Sequence, residues 1–403
     1  MPSDISRKRF LRATGVALTA AIAGCNSLTD NSGSNTETRT TTEKPPQAEQ
    51  QDENTPAFGN FYVGNLDADN SAVIDGRAEI VYTKPSTAPR KSPVVMVPGL
   101  GLSSYIYRTT PDGRRGWMEY FADAGHPVYV FNPPRNVDSG GLDTAALQNS
   151  DSASLSRWSM DRAWPTWGFG PEAGTPYEDV RYPVESVDQL VASFPAYVST
   201  GRGGGGRQGG GQTGRRSRNQ TSTSGDSTET TAGNQTGTAT GGGGGSRFAS
   251  SRETAALETL LNRVGPAVLL VHSAGGGSGF AAAQAVPDLV DRIVAVEPVG
   301  APTDPQTVAE MGGDAPFIGV YGDYIDERGQ TGRKEATQTT ADLAGDTNPT
   351  STLLSLPTEG ISGNSHLMMQ DDITVKSLIE LSPGLATNVT SLELRQNVFA
   401  PNK

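Results

Sequence analysis

Few residues in this chain are equipped for covalent chemistry. His272-Ser273 follows the apolar run Ala267–Val271, and glycines from Gly275 to Gly279 precede the Ala-rich segment Phe280–Ala285. A buried strand, a sharp turn carrying a serine and a helix together form the setting of a nucleophile elbow, where the turn lifts the hydroxyl out of the sheet. The small residues Ala274 to Gly277 suit such a turn, because strained backbone and a helix close behind it leave little room for side chains. Val271 stands where the G-x-S-x-G pattern has its first glycine, and a plain strand–turn–helix unit would have a similar sequence.

A serine nucleophile needs a base within hydrogen-bond reach and an acid to orient that base. The chain has three histidines. His272 adjoins the serine, so its side chain is expected to point away from the hydroxyl. His126 precedes Pro127 at the start of an expected strand, the wrong end of a parallel sheet for chemistry. His366 sits in a polar loop beyond the last expected strand, at the carboxyl edge where α/β sites form, and is the base by elimination. Glu297, Asp323 and Asp326 each lie just beyond a strand, between the serine and His366 in chain order. A carboxylate ending an apolar strand is costly to bury unpartnered, which favours a role for Glu297. Spacing alone leaves all three acids open.

The loop Pro98-Gly99-Leu100-Gly101-Leu102-Ser103 follows the apolar run Pro93–Val97. It can offer the N–H of Gly101 or Leu100 to an oxyanion, partnered by the N–H of Ala274 after the serine; it also reads as an ordinary βα turn. Cys25 is the only cysteine, so a Cys-based metal cluster is excluded, and three histidines all but exclude a His-rich metal site. The chemistry needs neither metal nor cofactor.

Phe61–Val63, Ala78–Tyr82, Pro93–Val97, Pro127–Phe131, Ala267–His272, Ile293–Val296, Pro316–Tyr321 and Leu353–Leu356 read as strands that position these residues. Helices are expected at Gly116–Ala124, Val184–Tyr197 and Ile373–Leu381. Strands alternating with helices point to a mostly parallel sheet with helices on both faces. Trp158, Trp164, Trp167 and Phe169 crowd one irregular segment that suggests a cap. Trp117, Trp164 and Trp167 are candidates for a pocket wall, with ordinary core packing equally open.

With 403 residues the chain can bury a substantial core. A net charge of −12 argues against nucleic acid as a partner. Only seven of the 32 basic residues are lysine, an acidic, Lys-poor balance resembling that of proteins from high-salt cells. Residues 1–25 read as an export segment: Ser6-Arg7-Lys8-Arg9-Phe10-Leu11 resembles a twin-arginine signal and Ile22-Ala23-Gly24-Cys25 a lipobox. Cys25 would then carry a lipid anchor to the membrane's outer face, with 26–56 a disordered polar tether. Residues 200–250 are Gly/Ser/Thr-rich and read as a disordered insertion within a hydrolytic domain spanning 57–403. Asn219, Asn234 and Asn388 stand in glycosylation sequons.

The resemblance to a known family rests on several stretches. Val296-Glu297-Pro298 after the serine's neighbouring strand, and Gly363-Asn364-Ser365-His366-Leu367-Met368-Met369-Gln370-Asp371, resemble bacterial and fungal esterases of the α/β-hydrolase fold. So do Thr110–Phe121, Gly168–Pro171, Arg181–Glu185 and Tyr321–Ile325. The resemblance implies an α/β-hydrolase fold and a Ser273–His366–Glu297 triad that cleaves small-molecule esters through an acyl-enzyme. Two departures bear on substrate preference: Ala274 stands where the family often has Gln, and Leu100 and Gly101 stand where its oxyanion loop can carry cysteines. An amidase or C–C hydrolase on the same triad, and a non-catalytic surface-binding lipoprotein on the same scaffold, are the competing readings.

Overall fold

The computed structural model describes residues 57–64, 76–85, 91–139, 142, 147–148, 153–199, 250–312 and 314–372. The export segment with Cys25, the 26–56 tether, all but Ser250 of the Gly-rich insertion, the three sequons and the expected helix at 373–381 lie outside them.

Eight strands form one sheet: β1 (Phe58–Val63), β2 (Ala78–Thr83), β3 (Val94–Val97), β4 (Val128–Asn132), β7 (Ala267–His272), β8 (Val290–Val296), β9 (Phe317–Tyr321) and β10 (Thr352–Ser355). Their spatial order is β1-β2-β4-β3-β7-β8-β9-β10. β1 and β2 run antiparallel at one edge, and from β4 to β10 every pairing is parallel. β3, β4, β7 and β9 are buried along their whole length, as strands covered on both faces must be.

Alternate residues along each strand sort into two apolar layers because successive side chains point to opposite faces. One layer joins Met96, Val130, Leu270 and Val294 to α1 (Tyr105–Arg108), α2 (Trp117–Asp123) and the Trp-rich segment. The other joins Val97, Phe131, Leu269 and Ala295 to α5 (Ser251–Val264), α6 (Gly275–Ala285), α7 (Pro305–Glu310) and α8 (Thr331–Gly345). The chain builds outward from β3 to β4 in one direction and from β7 to β10 in the other. The order therefore reverses between β3 and β7, and it is outside the carboxyl ends at such a switch point that ligands bind in open α/β sheets.

Residues 153–199 hold a two-stranded antiparallel sheet, β5 (Ser154–Ser156) with β6 (Tyr197–Ser199). Between its strands lie α3 (Met160–Thr166) and α4 (Val187–Ala192). The helix expected over Val184–Tyr197 is thus shorter: Val184–Ser186 is a 3-10 turn, α4 ends at Ala192, and Tyr197 belongs to a strand. Pro195 explains the early end, since it cannot donate to a helix and biases Phe194 away from helical backbone.

The glycine cluster behind the serine turn forms the first part of α6. A Cβ on Gly275 would sit 2.6 Å from the Pro98 carbonyl oxygen, and one on Gly279 2.4 Å from Val271 Cγ1. These glycines let the helix lie directly against β3 and β7. Gly275→Ala should cost about 1–3 kcal/mol through overpacking against rigid backbone, lowering the thermal midpoint measured by circular dichroism. Gly332→Ala, in the first turn of α8 with no atom within 4 Å of its Cβ, should leave stability unchanged or raise it by up to about 1 kcal/mol.

Candidate active site

Ser273 follows β7 with φ 51°, in the left-handed region that a side chain rarely adopts. Its backbone is strapped to the neighbouring turn: its N–H donates to Val296 O (3.1 Å), and its carbonyl accepts from Val299 N (2.7 Å) and Gly276 N (3.0 Å). Glu297, between those two anchors, also has positive φ, 40°. Both strained residues end adjacent parallel strands, so the serine turn and the acid turn are built as one unit. On the other side, a Cβ on Gly99 would lie 2.8 Å from Ser273 Cβ and 3.3 Å from its Oγ, so the loop after β3 presses directly on the serine. Among the described residues no acceptor takes the N–H of Ala274 or Gly101.

Glu297 is 1% exposed, and its carboxylate is shared three ways. Oε2 receives His366 Nδ1 at 2.6 Å and Arg328 Nη2 at 2.8 Å, and Oε1 accepts from Gly322 N at 3.1 Å. Burial pushes the carboxyl pKa up, but the Arg328 guanidinium and the His366 bond outweigh it and hold the group well below the usual carboxylate range. With Nδ1 committed to a carboxylate, the imidazole keeps its lone pair on Nε2. Burial, followed by the Arg328 charge, lowers the His366 pKa to about 4 against the opposing pull of Glu297.

The alternative acids are not at the imidazole. Asp323 Oδ2 accepts from Asn364 N (2.9 Å) and Nδ2 (3.0 Å), and its N–H donates to Asn364 O (3.0 Å). Asp323 therefore braces the histidine loop from two residues away. Asp326 is exposed and accepts from Thr331 Oγ1 at the start of α8. His126 lies at the amino end of β4, its Nδ1 2.7 Å from Ser92 O.

Trp117, Trp164 and Trp167 are all buried in the same apolar layer. Of these, Trp167 reaches the histidine loop, its carbonyl accepting His366 N at 2.8 Å.

Segments scattered through the sequence converge on residues 361–372. The Arg114 guanidinium donates to Asp371 O and Gln370 O, each at 3.0 Å. Arg181 Nε donates to Ser362 O, and its backbone N–H to Gly363 O. Tyr182, stacked on Phe169, donates its hydroxyl to Gln370. Asp371 closes the loop on itself, accepting from Ser365 N (2.7 Å) and Ser365 Oγ (2.6 Å). Burial raises the Asp371 pKa to about 7 despite those bonds.

Two partners escaped the sequence reading. His272, set aside there, holds His366: its Nε2 lies 3.0 Å from His366 O, with the ring centroids 4.5 Å apart. Burial keeps it neutral, far below the ordinary histidine range, so Nε2–H is the donor. Arg328 lies in a polar stretch that resembles surface loop, and only folding brings its side chain to 1% exposure against Glu297. Its Nε donates to Thr166 O at 2.9 Å.

No model of a known protein family matches the chain. Over 232 residues it is 27% identical to a protein of a fungal species (strain ATCC 74256) described as a probable secreted lipase, covering 55% of this chain and 48% of that relative. The chain thus spans about half the length of the curated relative it matches. Among solved structures, a bacterial esterase superposes with a TM-score of 0.59 at 24% identity, covering 82% of this chain and 96% of its own. That likeness and the strand order establish the fold as that of the α/β-hydrolases.

Removing the Arg328 charge should raise the His366 pKa. Arg328→Met should therefore shift the midpoint of the His366 ring carbon resonance upward in an NMR pH titration while leaving that of His126 in place.

Proposed function

We propose that the chain is a serine hydrolase that cleaves carboxylic esters of small molecules through an acyl-enzyme. The observation that carries this reading is the buried Glu297–His366 pair, assembled at the edge of the sheet where a strained elbow presents Ser273. Ser273 Oγ attacks the ester carbonyl carbon as its proton passes to His366 Nε2. The tetrahedral oxyanion takes hydrogen bonds from the N–H groups of Ala274 and of Gly101 (or Leu100), each worth about 3 kcal/mol in the transition state. Collapse breaks the C–O bond, and His366 returns the proton to the departing alcohol. Water then adds by the same route in reverse roles, releasing the acid and restoring the serine.

Glu297 orients the imidazole and stabilises its cation as the proton arrives. Arg328 keeps that carboxylate ionised in a site where burial opposes charge. It also makes His366 a weaker base, which preserves the neutral form into acidic solution.

The basic patch at Ser6–Leu11 and the lone Cys25 support export and lipid anchoring at the outer face of the membrane, and the fungal relative's description as secreted agrees with export. The acidic, Lys-poor composition supports activity at high salt.

Turnover of p-nitrophenyl butyrate in concentrated KCl tests the assignment. Ser273→Ala should lose about 10⁴-fold or more in kcat, and Glu297→Gln about 10³–10⁴-fold. Asp326→Asn should stay within about twofold of the parent, as surface changes usually do. Activity retained in Glu297→Gln but lost in Asp326→Asn would reassign the acid, and equal activity in Ser273→Ala and the parent would exclude the nucleophile. Because the base must be unprotonated, log kcat/KM should hold level as pH falls and decline only below about 4, where His366 takes up a proton.

A further inference from the structure

We infer that Tyr324 is a positioning residue that folds the loop after β9 back on itself and so delivers Arg328 to Glu297. The inference rests on the serine-hydrolase reading only for the catalytic role of the Glu297–His366 pair.

Among the described residues, three that are not glycine have positive φ: Ser273, Glu297 and Tyr324. The first two belong to the triad. Tyr324, at φ 58°, takes no part in the proposed chemistry, yet for so bulky a side chain this backbone is an outlier. Such strain persists only where surrounding contacts impose it. Run straight, the chain from Gly322 to Arg328 would span about 20 Å. Instead Gly322 N donates to Glu297 Oε1, and Arg328 Nη2 lies 2.8 Å from Glu297 Oε2, so the chain doubles back between them. Tyr324 stands at the reversal: its carbonyl accepts the Arg328 N–H at 3.0 Å, closing the turn that carries the arginine. Just ahead of it, Asp323 N donates to Asn364 O at 3.0 Å and fixes the outgoing arm against the histidine loop.

Two contacts hold Tyr324 in this conformation. Its ring stacks on Tyr177, with centroids 4.1 Å and planes 14° apart, and its hydroxyl donates to Asp179 Oδ1 at 2.7 Å. The segment bearing both partners is itself fixed: Tyr177 N donates to Phe169 O at 2.9 Å, and Arg181 N to Gly363 O at 2.8 Å. A Cβ on Gly168 would lie 3.2 Å from Tyr324 Cδ2 and 3.0 Å from Arg328 Cδ, so the ring and the arginine stem lie over the same bare backbone. Glycine at 324 would permit the turn without enforcing it. A tyrosine anchored by ring and hydroxyl enforces it. No bond of the described residues joins Tyr324 to Glu297 or His366, so its influence on the pair passes through Arg328.

The test reads the base without turnover. His366 is followed by NMR pH titration in the parent, Tyr324→Ala, Tyr324→Gly, Arg328→Met and the Tyr324→Ala/Arg328→Met double variant. Since the Arg328 charge helps to hold the His366 pKa down, withdrawing it raises the midpoint. Tyr324→Ala loses both anchors and adopts positive φ only with strain, so its midpoint should rise by at least half the displacement seen in Arg328→Met. Tyr324→Gly takes positive φ freely and should fall between the alanine variant and the parent. The double variant should titrate where Arg328→Met does, because a residue that acts by placing a group has no effect once that group is gone. Tyr324 is half-buried, so every variant should keep its fold, with the His126 midpoint in place. No displacement in Tyr324→Ala, a glycine variant no closer to the parent than the alanine variant, or displacements that add in the double variant would overturn the inference. With no substrate present, a parent inactive on p-nitrophenyl butyrate would count against the serine-hydrolase reading alone.

Discussion

A single buried carboxylate, Glu297, sets the terms for everything around it. At 1% exposure an ionised carboxyl has lost nearly all its water, and such a group survives only if the protein replaces that solvation. Three partners do so, each from a different part of the chain: His366 beyond β10, Arg328 ahead of α8, and the Gly322 N–H at the end of β9. For all three to reach one carboxylate, β8, β9 and β10 must lie side by side in register, and the loops leaving them must turn toward one another. Parallel pairing with all carboxyl ends on one edge meets that demand directly.

The second constraint is the position of the histidine itself. A loop of irregular backbone would ordinarily hold a side chain loosely, yet residues 361–372 are bonded from Arg114, Arg181, Asp323 and Asp371. The Trp167 carbonyl and the His272 ring secure His366 at its backbone N–H and carbonyl. These contacts place the order on the loop's backbone, leaving Nε2 of the imidazole uncommitted to Glu297. They also explain why the motif fragments that resemble a family are scattered along the chain: in space, several of them surround one loop.

Much of this was legible in the sequence where local pattern and burial coincide. The apolar runs marked the strands of the main sheet, most plainly β3, β4, β7 and β9, because strands covered on both faces are apolar throughout. Chain order and the scarcity of histidine narrowed the base to His366. The acid was different: Glu297, Asp323 and Asp326 were equal by spacing, and the resemblance favoured the one that the structure places against the imidazole. Arg328 carried no signal, since an arginine in a polar stretch looks the same whether it will be solvated or enclosed. His272 was misjudged by considering its direction from Ser273 alone, although a ring pointing away from the hydroxyl can still reach the carbonyl of His366. The helix ending at Ala192 was overextended because apolar spacing outweighed Pro195.

The central claim is that Ser273 is the one activated nucleophile of this fold. Incubating the unmodified protein in high salt with a fluorophosphonate probe, then locating the adduct by peptide mass mapping, tests it most directly. The account requires one adduct per chain, on Ser273, formed faster as pH rises through the His366 transition. No adduct, or an adduct on another residue with Ser273 untouched, would contradict it.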